Sequence, residues 1–153
     1  MKRTLIGHRL LAILFDTFIV LAIIIVANIP AVISFVNVSI NKSTLNIIAL
    51  YIASFFSGAL SLIGIILYTI VVPVFLNGQT LGKKYFNLVI VKNNGSDIDF
   101  KTMFIRELTR FFIIIVSFGL SIIVDLITLI TSRGCSTFYD TISTTKVVDV
   151  LVE

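Results

Sequence analysis

Three long apolar runs, at residues 10–36, 45–76 and 111–130, constrain the fold of this chain more than any other feature. About 20 helical residues cross a hydrocarbon core of about 30 Å, so each run is long enough to span a bilayer. Only 13% of the residues are charged, whereas a soluble domain has about 25%. We therefore predict an all-α integral membrane protein in which the whole chain, 1–153, forms one domain.

Two prolines interrupt this pattern. Pro30 is expected to end or kink the first helix, and the second run, which is longer than a bilayer needs, should tilt, protrude or break near Pro73. The expected spans are about 10–36, 45–76 and 104–131, with a cytoplasmic loop at 77–103.

The positions of Lys and Arg predict which loops face the cytoplasm, because cytoplasmic loops carry an excess of these residues. They cluster at the N-terminus and in the central loop, whereas the loop between the first two runs has only Lys42. We expect a multi-pass cell-membrane protein with a cytoplasmic N-terminus. The central loop should bind anionic lipid headgroups through Lys83, Lys84, Lys92 and Lys101. The net charge of +4 thus predicts a lipid bilayer as partner and no nucleic acid.

The central loop also carries a β pattern. Residues 88–91 are typical of a short strand, Asn94-Gly95 is a strong turn signal, and Ile98 and Phe100 alternate with polar residues as a return strand would. The expected architecture is therefore a small bundle of about three transmembrane helices with a short cytoplasmic β-hairpin and a β-rich C-terminal tail.

The third apolar run leaves the side of the C-terminus open. A helix capped by Asp99 should begin near Lys101 and lead into this run. A straight span would place the C-terminus outside the cell. A hairpin bent at 117–119 would return it to the cytoplasm and bring the terminal strand to the central one. Each arm of such a hairpin is too short to cross a bilayer, so length favours the straight helix.

Asp16 is the most informative charged residue, because it lies inside the first apolar run. It follows Arg9 by seven residues, with Ala12 between them on the same helix face. A carboxylate in hydrocarbon costs about 2.5–3.5 kcal/mol on insertion scales. Asp16 should therefore face protein or trapped water, with Arg106 or Arg110 of the third segment as its expected partner.

Four motifs follow one another along the chain. The first helix has the pattern Arg-x-x-Ala-x-x-x-Asp, and the central loop has Gly-x-Thr-x-Gly-Lys ahead of a strand. A glycine turn followed by a helix with an arginine is the third motif, and a final segment with an arginine, an aspartate and valines is the fourth. The residues concerned are Arg9, Ala12, Asp16, Gly78, Thr80, Gly82, Lys83, Gly95, Arg106, Arg133, Asp140, Thr145, Val147 and Val148. In this order the motifs resemble the RDD family of small bacterial membrane proteins.

The resemblance implies a multi-span membrane domain, associated in some members with cation/proton exchange and in others attached to other modules. It makes Asp140 the second aspartate of the family pattern, ahead of Asp125. Tyr139 and Thr144 depart from that pattern, since they stand where the family has a histidine and a glycine. Arg9 is too far along the helix to reach Asp16, so it should extend to lipid headgroups or meet Asp140.

Two classes of function remain open. The first is a transporter that exchanges monovalent cations for protons through a buried Asp/Arg site, and it predicts a water-accessible cavity beside Asp16. Its candidate coupling residues are Asp16, Asp140 and Asp125, and its charge partners are Arg9, Arg106 and Arg110. Because about three spans are few for a pathway, such a transporter should form a homo-oligomer.

The second class is a non-transporting membrane interaction protein, such as an accessory subunit or an assembly or immunity factor. It predicts a tightly paired Asp16 and a membrane-protein partner. Catalysis is not expected, because His8 and Cys135 are the single residues of their kinds and no zinc ligand set or serine base is evident. We accordingly predict no enzyme activity, no metal site and no cofactor.

Overall fold

The computed structural model describes residues 6–117, 120, 123, 124, 127, 128, 131 and 136–149. The helices are α1 (Ile6–Ile40), α2 (Thr44–Ile66), α3 (Val72–Phe75), α4 (Leu81–Tyr85), α5 (Phe100–Val116) and α6 (Phe138–Ile142). A π-helical turn occupies Leu67–Val71, and the strands are β1 (Leu88–Lys92) and β2 (Thr145–Asp149). These elements form two compact units, Thr17–Leu67 and the remainder of the chain.

Two helices, Ile6–Ile40 and Thr44–Phe75, are long and apolar enough to cross a membrane. In their most apolar windows only 11% and 17% of the residues are buried within the protein. A core helix of a soluble protein would bury its apolar face against other elements. The exposed apolar side chains of these helices are therefore suited to lipid, as the first two apolar runs predicted.

Prolines affect the two helices differently. The first helix does not end at Pro30 but continues to Ile40. The second continues through Pro73 to Phe75, but a π-helical turn at Leu67–Val71 interrupts its α-helical hydrogen bonding just before the proline. Proline lacks an N–H, and its ring crowds the carbonyl four residues earlier, which is that of Thr69. The widened turn before Pro73 accommodates both effects and contains the buried Tyr68.

The unit Thr17–Leu67 is held together by small and polar residues. The amide of Asn28 donates to the Ile24 carbonyl at 2.8 Å and to the Ser61 hydroxyl at 2.9 Å. A Cβ built on Gly64 would lie 2.6 Å from the side chain of Ile23. Small residues let apolar helices approach closely, so these positions of α2 form a packing seam with α1.

The other unit contains a two-stranded antiparallel sheet. Strand β1 pairs with β2 in a register that runs from Leu88 opposite Asp149 to Lys92 opposite Thr145. The strand packs into a small apolar core formed by Ala12, Ile70, Leu88, Ile90, Ile98, Met103 and Val147. Alternate residues of both strands point into this core, as expected of a sheet with one buried face.

The predicted local β-hairpin is wrong. The turn itself is present, because Gly95 has φ +83° and donates its N–H to the Lys92 carbonyl at 2.8 Å. However, Ile98 lies in no strand and its side chain is buried in the core, while Phe100 already begins α5. The C-terminal strand β2, rather than a return strand, therefore completes the pairing of β1.

Among the described residues, the third apolar run does not form one uninterrupted helix over 104–131. Helix α5 ends at Val116, and a turn follows in which Leu120 donates its N–H to the Ser117 carbonyl at 3.0 Å. Strand β2 pairs with β1, so the C-terminal strand lies beside the strand of the central loop. The bent alternative accounts for the pairing.

Helix α5 begins one residue before the predicted position. Asp99 occupies the N-cap position, as predicted, but its side chain makes no hydrogen bond to the backbone of the first turn. Its carboxylate instead accepts from the Thr102 hydroxyl and lies 2.9 Å from the Lys92 ammonium. These two contacts hold the pKa of Asp99 at about 2, below its ordinary value.

Candidate functional site

The carboxylate of Asp16 is surrounded by donors from the Gly-x-Thr-x-Gly-Lys loop. The hydroxyl of Thr80 donates to Oδ2 at 2.6 Å, and the N–H of Gly82 donates to Oδ1 at 2.9 Å. The ammonium of Lys83 lies 3.6 Å from Oδ2. From the π-helical turn, the hydroxyl of Tyr68 donates to Oδ1 at 2.5 Å. Both oxygens of this membrane-helix carboxylate are therefore occupied by protein donors.

The local structure of the loop explains how its residues reach Asp16. Thr80 is the N-cap of α4, and its side chain accepts the N–H of Lys83 at 3.3 Å. This cap starts a short helix whose first turn faces α1. A Cβ built on Gly82 would lie 2.5 Å from the Ala12 carbonyl oxygen and 2.7 Å from the Asp16 carboxylate. Glycine at 82 and the small Ala12 thus let the loop and the helix approach.

Gly78 has a different structural role from Gly82. It has φ +86°, and a Cβ at this position would collide with the carbonyl oxygen of Ile90. Its own carbonyl accepts the N–H of Ile90 at 2.8 Å. The first glycine of the motif therefore anchors the loop along β1, and the second brings it to α1.

Lys83 is largely buried beside Asp16, and its ammonium also donates to the Thr80 hydroxyl at 3.3 Å. Burial is the main cause that lowers the pKa of Lys83 to about 8, and the positive charge of Arg106 is the second. The carboxylates of Asp16 and Glu107 act in the opposite direction, and Arg110 adds weakly to the lowering. Lys83 therefore loses its proton much nearer to neutral pH than an ordinary lysine does.

Asp140 is the centre of a second charged cluster. Its carboxylate is fully buried, forms an ion pair with Arg9, and accepts from Nε of Arg106 at 2.9 Å. The N–H of Thr137 donates to Oδ2 at 3.0 Å. Burial alone would raise the pKa of Asp140, but the two guanidinium groups outweigh it and hold that pKa well below its ordinary value. Asp140 is therefore a permanent anion that joins α1, α5 and α6.

The arginines of α5 extend this cluster. The guanidinium groups of Arg106 and Arg110 lie 5.2 and 5.5 Å from the centre of the Tyr139 ring. Each also lies near the carboxylate of Glu107, at 3.5 and 3.6 Å. Tyr139, which replaces the histidine of the family pattern, thus contributes a ring face to two cations.

The charge partners differ from the predicted ones. Asp16 is paired with Lys83 and not with Arg106 or Arg110, because the loop donors already fill its oxygens while α5 faces Asp140 and Tyr139. The predicted contact of Arg9 with Asp140 is present. Asp125, Arg133 and Cys135 lie outside the described residues.

The structure adds one residue to the predicted site and reduces the predicted basic surface of the central loop. Tyr68 was not identified from the sequence, and its place just before Pro73 in an otherwise apolar run is the signal that could have found it. Lys83 does not belong to the predicted exposed basic surface, and Lys92 is paired with Asp99. The side chains of Lys84 and Lys101 are exposed, as that surface requires.

Thr144 shows what the second departure from the family pattern costs. It stands where the pattern has a glycine and adopts φ +52°, which is unfavourable for a β-branched residue. We expect Thr144→Gly to raise the free energy of unfolding by about 1 kcal/mol, measured by thermal unfolding in detergent micelles. Thr141→Gly, in helix α6, should lower it by a similar amount. Equal effects of the two substitutions would contradict this assignment.

The Asp16 site can neutralise one positive charge with a carboxylate flanked by two hydroxyl groups, whereas the Asp140 site is fully occupied by two arginines. A family model described as the RDD family matches residues 3–144. Over 83 residues the chain is 34% identical to "Uncharacterized protein YckC" of Bacillus subtilis (strain 168), which covers 54% of this chain and 55% of that protein.

The aligned region therefore spans about half the length of this curated relative. No solved structure matches the chain. The family match extends from before Arg9 to beyond Asp140, so it includes both charged clusters. Together with the two long apolar helices, it supports a membrane location. The chain belongs to the RDD family.

Proposed function

We propose that this protein exchanges a monovalent cation for a proton at Asp16, with Lys83 as the group that carries the proton. The observation that carries the proposal is the Asp16–Lys83 pair, which lies against the hydroxyl groups of Tyr68 and Thr80. It replaces the Asp/Arg site predicted from the sequence with an Asp/Lys site. Oxygen atoms of carboxylate and hydroxyl groups are suitable ligands for hard cations.

The exchange follows from the charge of the site. Asp16 carries one negative charge, so it can neutralise either the Lys83 ammonium or one bound monovalent cation. When Lys83 releases its proton, the carboxylate is left with an uncompensated charge in a largely buried place. A cation that enters restores the balance, and its departure favours protonation of Lys83 again. One proton is thus exchanged for each cation.

The lowered pKa of Lys83 suits this role, because a lysine with an ordinary pKa would hold its proton at neutral pH. As pH rises through about 8, a growing fraction of Lys83 is neutral. The apparent affinity for the cation should therefore increase with pH over this range. Asp140 cannot change its protonation state in this range, since two arginines hold it as an anion. Its proposed role is to position α1.

In the proposed arrangement the protein is a multi-pass protein of the cell membrane with its N-terminus and central loop in the cytoplasm. The concentration of lysines in that loop and the pairing of β2 with β1 support this orientation. Two long helices enclose little space, so we propose that copies of the chain assemble into a homo-oligomer that completes the pathway.

The test is proton flux in proteoliposomes, followed with a pH-sensitive dye after addition of LiCl, NaCl or KCl. We expect the wild-type protein to release or take up protons with at least one of these salts, and Asp16→Asn to lose the flux. Lys83→Arg should also lose it, because arginine keeps its charge at all accessible pH values and continues to occupy Asp16. Lys84→Arg is the matched control, since Lys84 is exposed.

The outcomes separate the possibilities. Wild-type protein without flux for any monovalent cation would overturn the proposal. Flux that persists in Lys83→Arg would remove Lys83 from the exchange. Correct folding of each variant is checked by its thermal unfolding midpoint, so a loss of flux in a folded variant reports on the exchange itself.

A non-transporting interaction protein is the second candidate, and one observation favours it. All four carboxylate oxygens of Asp16 and Asp140 have protein donors, as a fixed structural tether requires. In that case the protein would be an accessory subunit or an assembly factor for a membrane-protein partner. Absence of wild-type flux, together with specific recovery of one partner by crosslinking in membranes, would favour this function.

A further inference from the structure

Helix α4 presents an apolar and aromatic surface to its surroundings. The side chains of Leu81 and Tyr85 are 46% and 73% exposed. The Tyr85 ring stacks on that of Phe15 in α1, with 5.8 Å between centroids and 4° between planes. Phe15 is itself 44% exposed. The surface of α4 is therefore continuous with the exposed side chain of Phe15 in α1.

The position of Phe15 along α1 indicates the depth of this surface relative to the hydrocarbon core of a membrane. Helix α1 has 35 residues, whereas about 20 cross the hydrocarbon core. The stretch between Asp16 and Lys42 contains no charged residue, and polar residues become frequent from Asn37 onward, with Ser39 and Asn41 following. The hydrocarbon core therefore covers about residues 17–36, which places Phe15 at its edge.

The side chains of α4 are suited to a position at the edge of the hydrocarbon core. A tyrosine has an apolar ring and a polar hydroxyl, which makes it favourable at the boundary between hydrocarbon and headgroups. The chain contains no tryptophan, so tyrosine and phenylalanine must supply such contacts. Lys84 is exposed beside Tyr85 and can extend its ammonium to a phosphate group.

We propose that α4 lies in the headgroup layer of the membrane, with Leu81 and Tyr85 directed toward the acyl chains and Lys84 bound to anionic phospholipid headgroups. This placement also explains the contacts of the neighbouring loop residues. Thr80, Gly82 and Lys83 belong to the same segment and contact Asp16, so the lipid surface and α1 hold opposite sides of α4. This inference does not depend on transport.

The absence of tryptophan allows a direct test. A Tyr85→Trp variant of the protein in vesicles contains a single tryptophan, whose fluorescence is quenched by lipids brominated at defined depths or by aqueous iodide. We expect the strongest quenching from lipids brominated close to the headgroup and weak quenching from iodide. Two reference variants give the scale: Ile25→Trp, within the apolar run, and Asp97→Trp, at an exposed polar position.

The reference variants define the outcomes. Ile25→Trp should respond most to bromine near the centre of the bilayer, and Asp97→Trp to iodide. A Tyr85→Trp variant that behaves like either reference would overturn the placement of α4. Its folding is verified beforehand by comparing its thermal unfolding midpoint with that of the wild type, and a Phe15→Trp variant provides an independent reporter of the same level.

The contact with anionic lipid is tested by the lipid class that carries the bromine. In mixed vesicles, brominated phosphatidylglycerol should be enriched around the Tyr85→Trp reporter about fivefold over brominated phosphatidylcholine. Adding Lys84→Gln should abolish this preference while leaving the depth unchanged. A preference that survives Lys84→Gln and disappears instead in Lys101→Gln would show that the headgroup is bound elsewhere.

Discussion

Replacing Asp140 with asparagine should lower the free energy of unfolding by about 3–5 kcal/mol, the cost of breaking a buried ion pair from one side. Asparagine keeps the size of the side chain and some of its hydrogen bonds but removes the negative charge. Arg9 and Arg106 are 2% and 3% exposed. Two buried cations would then face each other without the anion that joins them.

The expected measurement is a large fall in the thermal unfolding midpoint, followed by circular dichroism in detergent micelles. Asp97→Asn is the matched control, because this aspartate is exposed and its loss of charge should change the midpoint little. Similar midpoints for the two variants would show that the Asp140 cluster does not hold the unit together.

A second substitution distinguishes charge imbalance from lost contacts. Arg9→Met in the Asp140→Asn background removes one of the uncompensated cations and keeps an apolar side chain in place of the aliphatic part of the arginine. We expect it to restore part of the stability that Asp140→Asn loses, although Arg9→Met alone should destabilise the wild type. Additive losses in the double variant would contradict the electrostatic explanation.

Several parts of this structure could be predicted from local sequence. The first two long helices follow from their apolar runs, and the need for a partner of Asp16 follows from the cost of a carboxylate near hydrocarbon. The turn at Asn94-Gly95 and the N-cap position of Asp99 depend on a few neighbouring residues. Such features are decided within one or two turns of chain, so they can be predicted without knowledge of the fold.

The remaining features depend on contacts between distant segments. A turn signal after β1 predicted a local return strand, but the sheet is completed by β2, more than fifty residues later. The buried Ile98 and the start of α5 leave no room for a strand in between. Likewise, the partner of Asp16 depends on which donors the loop carries to α1, and charge alone could not distinguish Lys83 from Arg106.

The two glycines of the loop motif show the same limit. Their spacing can be identified in the sequence, but the sequence does not say what each one approaches. In the structure Gly78 is fixed by its positive φ and the carbonyl of Ile90, whereas Gly82 is fixed by the backbone of α1. The motif is therefore better described as a docking segment for the first helix than as a ligand-binding loop of the phosphate type.

This docking leads to the second large effect, which is expected for Gly82→Ala. The added Cβ would lie 2.5 Å from the Ala12 carbonyl oxygen and 2.7 Å from Asp16. The first of these atoms belongs to the backbone of a long helix and cannot move aside locally, so α4 must shift. The N–H of Gly82 and the hydroxyl of Thr80 would then lose their hydrogen bonds to the carboxylate.

We expect Gly82→Ala to lower the free energy of unfolding by about 3 kcal/mol, combining steric strain with weakened hydrogen bonds to a charged group. Gly7→Ala is the matched control, because both glycines are the second residue of their helices and a Cβ at Gly7 meets nothing within 4 Å. Alanine there should be neutral or stabilise the helix by up to about 1 kcal/mol. Thermal unfolding of both variants measures the difference, and a Gly82→Ala variant as stable as Gly7→Ala would mean that α4 does not dock against α1 at this distance.

The steric mechanism further predicts that Gly82→Ala disturbs the contacts of Asp16 while leaving those of Asp140 intact. Limited proteolysis of this variant should therefore cleave near α4 before it cleaves at β1 or β2.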